Sequence, residues 1–106
     1  MNDSSNIPCP LAENAKRIPN NTAILWSSRQ ISWKDLNQYV EFSCRALKKQ
    51  GIKQGDRICV AENYSVEMII IFLALWRLGA IACPMNPKIP QAMLQEMIQK
   101  IQGKIL

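Results

Sequence analysis

The chain has 106 residues, enough for one domain and too few for two. Apolar residues make up 48% and charged residues 20%, an ordinary globular composition that excludes a disordered tail, a collagen-like chain and a low-complexity linker. The formal net charge is +5, and histidine, the commonest general base and metal ligand, is absent. The longest apolar run, 68–76, is about half the length of a membrane-spanning helix. The first six residues do not resemble a secretory signal. We therefore expect no transmembrane segment and a cytoplasmic location.

The first elements are predicted to be a short helix and a β-hairpin. The helix covers 11–17 and is ended by Pro19 and the asparagines after it. The β-rich run 22–26 is predicted to pair back with Ile31 across a loop formed by residues 27–30. This loop contains no glycine, so the turn type stays open.

The next segment has the start, periodicity and end of an amphipathic helix over 33–50. Ser32 is the predicted N-cap, with Asp35 in the acidic position of a capping box. Gly51 follows as the C-terminal cap. The apolar stripe is predicted to contain Leu36, Val40, Cys44 and Leu47, widened by Tyr39 and Ala46.

Three further segments are predicted to form a right-handed βαβ unit. The run 57–61 is almost continuously apolar, as in a parallel strand that is buried on both faces. A helix capped by Asn63 or Ser65 follows and extends to Leu78. Residues 80–84 are predicted to be a second buried strand.

The last predicted helix ends at Gly103, and residues 104–106 have the pattern of the beginning of another strand. We therefore expect a polar arm over 1–10 and one incomplete α/β subdomain over 11–106, with further strands after Leu106. Its fold class is α/β, with a partly parallel βαβ-type sheet flanked by helices. The apolar face of the last helix is predicted to contain Met93, Leu94, Met97, Ile98 and Ile101.

The cysteines do not have the spacing of a metal site or a disulfide framework. No two of them lie close in sequence, whereas zinc ligands usually come in close pairs. Three of them stand in apolar surroundings, where free cysteine behaves as a small hydrophobic residue. We expect four free thiols and no metal at Cys9, Cys44, Cys59 and Cys83.

No segment carries a recognisable catalytic motif. The four glycines stand singly, so there is no phosphate-binding loop, and no serine has a histidine to activate it. Asp56 and Arg57 form the most conspicuous polar pair, but a turn residue and a strand-edge charge explain them. Glu62 follows a buried strand, the position where ligands gather, although a solvated loop acid is the simpler interpretation.

Two further groups of side chains have structural roles that account for them. The basic cluster lacks the aromatic residues and the groove-reading motif of nucleic-acid-binding proteins, and helix capping accounts for most of it; its members are Arg45, Lys48, Lys49 and Lys53. Met93 and Met97 are expected to pack in the core rather than to form a binding surface. We therefore assign no residue to catalysis, to cofactor binding or to a metal, and expect no nucleic-acid partner.

The order of these segments resembles the beginning of the adenylate-forming superfamily, which includes acyl-CoA synthetases, luciferases and peptide-synthetase adenylation domains. The resemblance is carried by "NNTAILW", by "ISWKDLNQYVEFSCRALKKQGIKQGDRICV" and by "NYSVEMIIIFLALWRLGAIACPMNP". The most specific parts are the G-D-R-[VI] turn and the G-A-x-x-x-P-x-N-P stretch at this separation. Within the superfamily, "RQISWKDLN" and "CPMNPKIPQAMLQEMIQKIQ" are most similar to the o-succinylbenzoate–CoA ligases of menaquinone biosynthesis, with fatty-acid or aryl-CoA ligases as the alternative.

The resemblance implies a two-step ligase. A carboxylate attacks the α-phosphate of Mg-ATP to give an acyl-adenylate and pyrophosphate, and the thiol of coenzyme A then displaces AMP. The motifs that hold ATP, Mg²⁺ and coenzyme A in the family do not occur in this sequence and are expected downstream. The chain by itself is therefore expected to be an inactive scaffold whose main partner is the remainder of the ligase.

The alternative is a stand-alone, non-catalytic module that binds a partner protein. In either case we expect the chain to self-associate. The helix that ends at Leu78 is apolar almost all round, and such helices are normally buried on every side. The expected contact surfaces are an open sheet edge, the face around Ile71 and the last helix.

Overall fold

The computed structural model describes residues 9–106, so most of the arm predicted over 1–10 lies outside the described residues. The predicted first helix is confirmed as α1 (Pro10–Arg17). Pro10 was expected to be the last residue of the arm, but it is the first residue of α1. Proline suits this position because its fixed φ is helical and its missing N–H would have had no partner within the helix.

The predicted hairpin is confirmed, with a shorter loop than expected. Strands β1 (Thr22–Trp26) and β2 (Arg29–Ser32) pair antiparallel, with Trp26 opposite Arg29. Only Ser27 and Ser28 remain in the turn, and Ser27 has a φ of +55°. Two-residue hairpin turns require positive φ to match the strand twist, so this serine takes a conformation usual for glycine or asparagine.

Helix α2 (Trp33–Lys49) has the predicted cap, because the Ser32 hydroxyl accepts the Asp35 N–H at 3.1 Å. The four central stripe residues, Leu36, Val40, Cys44 and Leu47, are buried as predicted. The prediction that Tyr39 and Ala46 widen this buried stripe is wrong, since both side chains are exposed. The buried stripe of α2 is therefore narrower than the apolar stripe in its sequence, because no neighbouring element among residues 9–106 covers Tyr39 and Ala46.

The βαβ unit is confirmed. Strands β3 (Arg57–Val60), β4 (Ile81–Pro84) and β5 (Lys104–Ile105) form a parallel sheet in the order β4-β3-β5. The central strand is buried on both faces, as predicted. The prediction that β4 is also a buried strand is wrong, since Ile81 is 50% exposed. As an edge strand, β4 has only one hydrogen-bonded neighbour among the described residues.

Helix α3 (Val66–Leu78) connects β3 to β4. Ser65, not Asn63, is its N-cap, because the Ser65 hydroxyl accepts the Met68 N–H at 3.1 Å. Helix α4 (Gln91–Ile101) connects β4 to β5. The two crossovers run in opposite directions across the sheet, so right-handed connections place α3 and α4 on opposite faces.

Helix α4 is covered less than predicted. Leu94 is buried, but Met93 is 53% exposed, so the expectation that Met93 packs in the core is wrong. The helix ends through Gln102, which has a φ of +55°, rather than through Gly103.

The main core lies on the face of the sheet opposite to α4, between β3 and the helices α1, α2 and α3. Leu11, Val40, Ile58 and Leu75 are among its buried members. Among residues 9–106, no helix is both long enough and apolar enough to cross a bilayer.

Candidate functional site

A groove of about 590 Å³ opens where β3 and β4 end. Ligands of open α/β sheets gather beyond the carboxyl ends of parallel strands, so this is the part of the described chain best placed to hold one. The groove is lined by two loops and the first turn of α3. The lining residues are Glu62, Asn63, Tyr64, Met68, Pro84, Met85, Asn86, Pro87 and Lys88.

The first wall is the short connection between β3 and α3. Glu62, Asn63 and Tyr64 lie between the end of β3 and the Ser65 cap, and all three are exposed. The sequence-predicted position of Glu62 at a strand end is thereby confirmed. Because the Ser65 cap fixes the start of α3, these three residues lie at the mouth of the groove.

The second wall is the loop that follows β4. The Met85 N–H donates to the Val60 carbonyl at 2.9 Å, which extends the β3–β4 pairing beyond the end of β4. The Asn86 carboxamide oxygen then accepts the Lys88 N–H at 2.9 Å, a local turn that fixes the loop. Sequence reasoning did not single out these residues. The P-x-N-P stretch beside a strand end was the signal that could have found them.

The groove presents groups that can bind a ligand by hydrogen bonds and charge. Its polar side chains are one carboxylate, one ammonium, two carboxamides and a phenol. It contains no nucleophile with an adjacent base, the arrangement that covalent catalysis requires. Among residues 9–106, no three histidine, cysteine, aspartate or glutamate side chains gather where they could hold a metal ion. The assignment of no catalytic residue stays a prediction.

Asp56 and Arg57 stand at the opposite end of β3, away from the groove. The Asp56 carboxylate accepts the Lys104 ammonium and the Lys53 N–H, each at 3.0 Å. The Lys104 contact and then the Lys53 N–H hold the pKa of Asp56 below its usual value. Arg57 donates to the Ile101 carbonyl at 2.7 Å. The contact with the Lys53 N–H confirms Asp56 as a turn residue. The contacts with Lys104 and the Ile101 carbonyl in addition join this end of β3 to the chain around β5.

Two members of the basic cluster, Arg45 and Lys48, line one cavity of about 320 Å³ together with Arg77. Arg45 forms an ion pair with Glu41 at 2.9 Å on the exposed face of α2. Lys48 and Lys49 lie in the last turn of α2, where cations complement the helix dipole.

Arg77 connects three helices, a role that sequence reasoning missed. Its guanidinium donates to the Asn37 carboxamide oxygen at 2.7 Å and to the Cys9 sulfur at 3.5 Å. Burial acts to raise the pKa of the Cys9 thiol, but the Ala12 N–H and the Arg77 guanidinium outweigh it and lower the pKa. Arg77 thus links α2 and the start of α1 to the end of α3.

The remaining cysteines are also free thiols. The Cys44 thiol donates to the Ala74 carbonyl at 3.4 Å inside the core, and burial raises its pKa. Burial likewise raises the pKa of Cys59, and the neighbouring charge of Cys83 adds to the effect. Cys44 and Cys59 are buried as small hydrophobic residues, as predicted.

Comparison with known proteins agrees with the order of these elements. The model of the AMP-binding enzyme family matches residues 11–106. Bacitracin synthase 3 of Bacillus licheniformis is 31% identical over 87 residues, which are 82% of this chain and 1% of that protein. The chain spans between 1% and 9% of the length of the synthases it matches.

Solved structures show the same fold. An artificially fused adenylation-PCP di-domain NRPS from Klebsiella oxytoca, NpsA-ThdA, superposes with a TM-score of 0.79 at 24% identity, over 88% of this chain and 18% of that one. An E. coli MenE variant with bound OSB-AMS superposes with a TM-score of 0.76 at 23% identity, over 85% and 20%. At these identities the likeness concerns the fold alone. With the family match extending over all the described elements from α1 to β5, the chain belongs to the AMP-binding enzyme family and has the α/β fold of the N-terminal part of adenylation domains.

Proposed function

We propose that the chain is the N-terminal part of an ATP-dependent carboxylate ligase that forms an acyl-adenylate and then an acyl thioester of coenzyme A. The observation that carries the proposal is the family match over residues 11–106. The parallel β3–β4 unit and its groove support the proposal, because they provide the strand-end cleft that ligand-binding α/β proteins use.

In this proposal the chain contributes structure rather than chemistry. The described residues do not fit Mg²⁺ or ATP, since they include no cluster of carboxylates and no glycine-rich loop before a helix. ATP, Mg²⁺ and coenzyme A would be held by parts of the protein other than these 106 residues, and the remainder of the ligase is the proposed partner of the chain.

The finer proposal concerns the carboxylate. We propose o-succinylbenzoate, because the stretches "RQISWKDLN" and "CPMNPKIPQAMLQEMIQKIQ" resemble the ligases of menaquinone biosynthesis. The second candidate is an adenylation domain of a peptide synthetase, which is favoured by the likeness to the surfactin, tyrocidine and bacitracin synthases. A cytoplasmic location follows from either candidate as part of the same proposal.

The test is ATP–pyrophosphate exchange by the complete gene product that contains this chain. The substrates are o-succinylbenzoate, the twenty amino acids, a fatty acid and a benzoate, each with Mg²⁺. Exchange with o-succinylbenzoate, followed by thioester formation when coenzyme A is added, is the expected result. A parallel reaction without the carboxylate gives the background.

The other outcomes separate the candidates. Exchange with an amino acid alone would replace the finer proposal by the peptide-synthetase candidate. Exchange with the fatty acid or the benzoate would indicate a different CoA ligase. No exchange with any substrate, from a folded gene product, would overturn the ligase proposal and favour the non-catalytic module that binds a partner protein.

A further inference from the structure

Cys59 and Cys83 lie side by side on the two parallel strands β3 and β4, as partners in register. Register partners on neighbouring strands project from the same face of a sheet. Ile58, Val60 and Ala82, which alternate with them, pack into the core on the α2–α3 face. Both thiols therefore project from the other face, where a right-handed connection places α4.

The strand spacing decides what this pair can do. Neighbouring strands lie about 4.8 Å apart, so the two β-carbons are separated by roughly the same distance. An unstrained disulfide needs about 3.5–4.5 Å between β-carbons, so a direct bond would require the strands to move. A single bridging ion fits better. Two metal–thiolate bonds of about 2.3 Å, the zinc–sulfur length, place the sulfur atoms about 4.6 Å apart when they lie in line. This is close to the strand spacing, so the two side chains can stay parallel.

Access to the pair comes from one side. Cys59 is only 1% exposed, whereas Cys83 is partly exposed at the sheet edge. The other two cysteines lack a comparable partner. Cys9 faces the Arg77 guanidinium, which repels cations, and the Cys44 thiol is engaged by a core carbonyl.

We propose that Cys59 and Cys83 together bind one soft, thiophilic monovalent cation, of which Cu(I) is the experimental probe. Thiolate sulfur selects such ions over harder cations. Each thiol releases its proton and forms one sulfur–metal bond, so that one Cu(I) and two thiols give a linear dithiolate and two protons. No electron is transferred. The bound ion links β3 to β4 on the face away from the main core.

The first test is anaerobic Cu(I) competition against a chromophoric chelator with the purified 106-residue chain. We expect one tightly bound Cu(I) per chain. Cys83→Ser should weaken binding by at least about tenfold, because even a group that merely supports a metal ligand is worth that much. Cys9→Ser is the matched control, since Cys9 is also partly exposed, and it should bind as the wild type does. Equal affinity of the Cys83→Ser variant and the wild type would overturn the proposal.

A second measurement needs no variant and so does not depend on the folding of Cys83→Ser. The wild-type chain is alkylated with and without one equivalent of Cu(I), and the modified cysteines are identified by mass spectrometry. We expect the ion to protect Cys83 and to leave Cys9 reactive. Protection of Cys9 instead, or no protection of Cys83, would also overturn the proposal. Binding to the native state should in addition raise the melting temperature.

Discussion

The glycine at the end of α3 offers a sharp test of the fold. Gly79 has a φ of +77°, and its carbonyl accepts the N–H of Gly55 at 2.9 Å. These two glycines belong to the two stretches that carry the family resemblance. The structure thus joins the turn before β3 to the turn before β4 through one backbone hydrogen bond.

Replacing Gly79 by alanine should lower the free energy of unfolding by about 1–2 kcal/mol. This is the usual cost of holding a residue with a β-carbon in left-handed backbone conformation. The added methyl group would also lie 2.9 Å from Cγ of Gln54. The Gln54 side chain is exposed and flexible, so it can rotate away at little cost. The backbone should therefore account for most of the loss.

The assay is urea unfolding followed by circular dichroism. The variants are Gly79→Ala, Gln54→Ala and the double variant. We expect the coupling between the two sites to stay below about 0.5 kcal/mol, since the contact with Gln54 is a minor part of the effect. Gly55→Ala is the control for backbone strain, because it has a φ of +85° with no atom near the added methyl group. Wild-type stability of Gly79→Ala, or its full rescue by Gln54→Ala, would refute the reasoning.

Further expectations concern Arg77, Asp56 and the isolated chain. Arg77→Met should destabilise the chain by about 1.5–3 kcal/mol in urea, the scale of a hydrogen bond to a charged group, because the contacts with Asn37 and Cys9 are lost. The folded-state pKa of Asp56 lies below its ordinary value of 3.8, so its stabilisation exists above that pH and is lost as the pH falls through the folded-state pKa. Asp56→Asn should therefore unfold with a weaker dependence on acid pH than the wild type. The isolated chain should release no pyrophosphate above background from ATP, Mg²⁺ and o-succinylbenzoate, and a clear signal would contradict the scaffold role. It should also self-associate in light scattering over a dilution series, and a monomer mass at every concentration, without binding of a hydrophobic dye, would contradict this.

The surface expected to mediate self-association changes in the light of the structure. The face of α3 around Ile71 was one of three surfaces that the sequence indicated, but Ile71 is half-buried and Ala74 on the same face is fully buried. On the helices α2 and α3, the most exposed aromatic side chains are instead Phe42 and Trp76. Phe42, at 73% exposed, is the better position for a charged substitution that should weaken association.

Elements whose signals are local could be predicted from the amino-acid sequence alone. Ser32 caps α2 because its hydroxyl reaches a backbone N–H only three residues away, and the following apolar positions recur at helical spacing. The strand–helix–strand order around α3 was likewise predictable, because a continuous apolar run followed by a capping serine is typical of a buried strand that leads into a helix. The position of Glu62 at the carboxyl edge of the sheet followed from this order, since the carboxyl ends of parallel strands lie at the same edge.

Tertiary packing, in contrast, determines which apolar side chains are covered and which distant residues meet. Tyr39 and Met93 fit their helical patterns but lie exposed, because burial depends on the elements packed beside a helix and not on its own periodicity. The second wall of the groove, the contacts of Arg77 and the pairing of Cys59 with Cys83 join residues far apart in the sequence. Such pairings depend on which distant elements pack together, and local sequence signals do not contain that information.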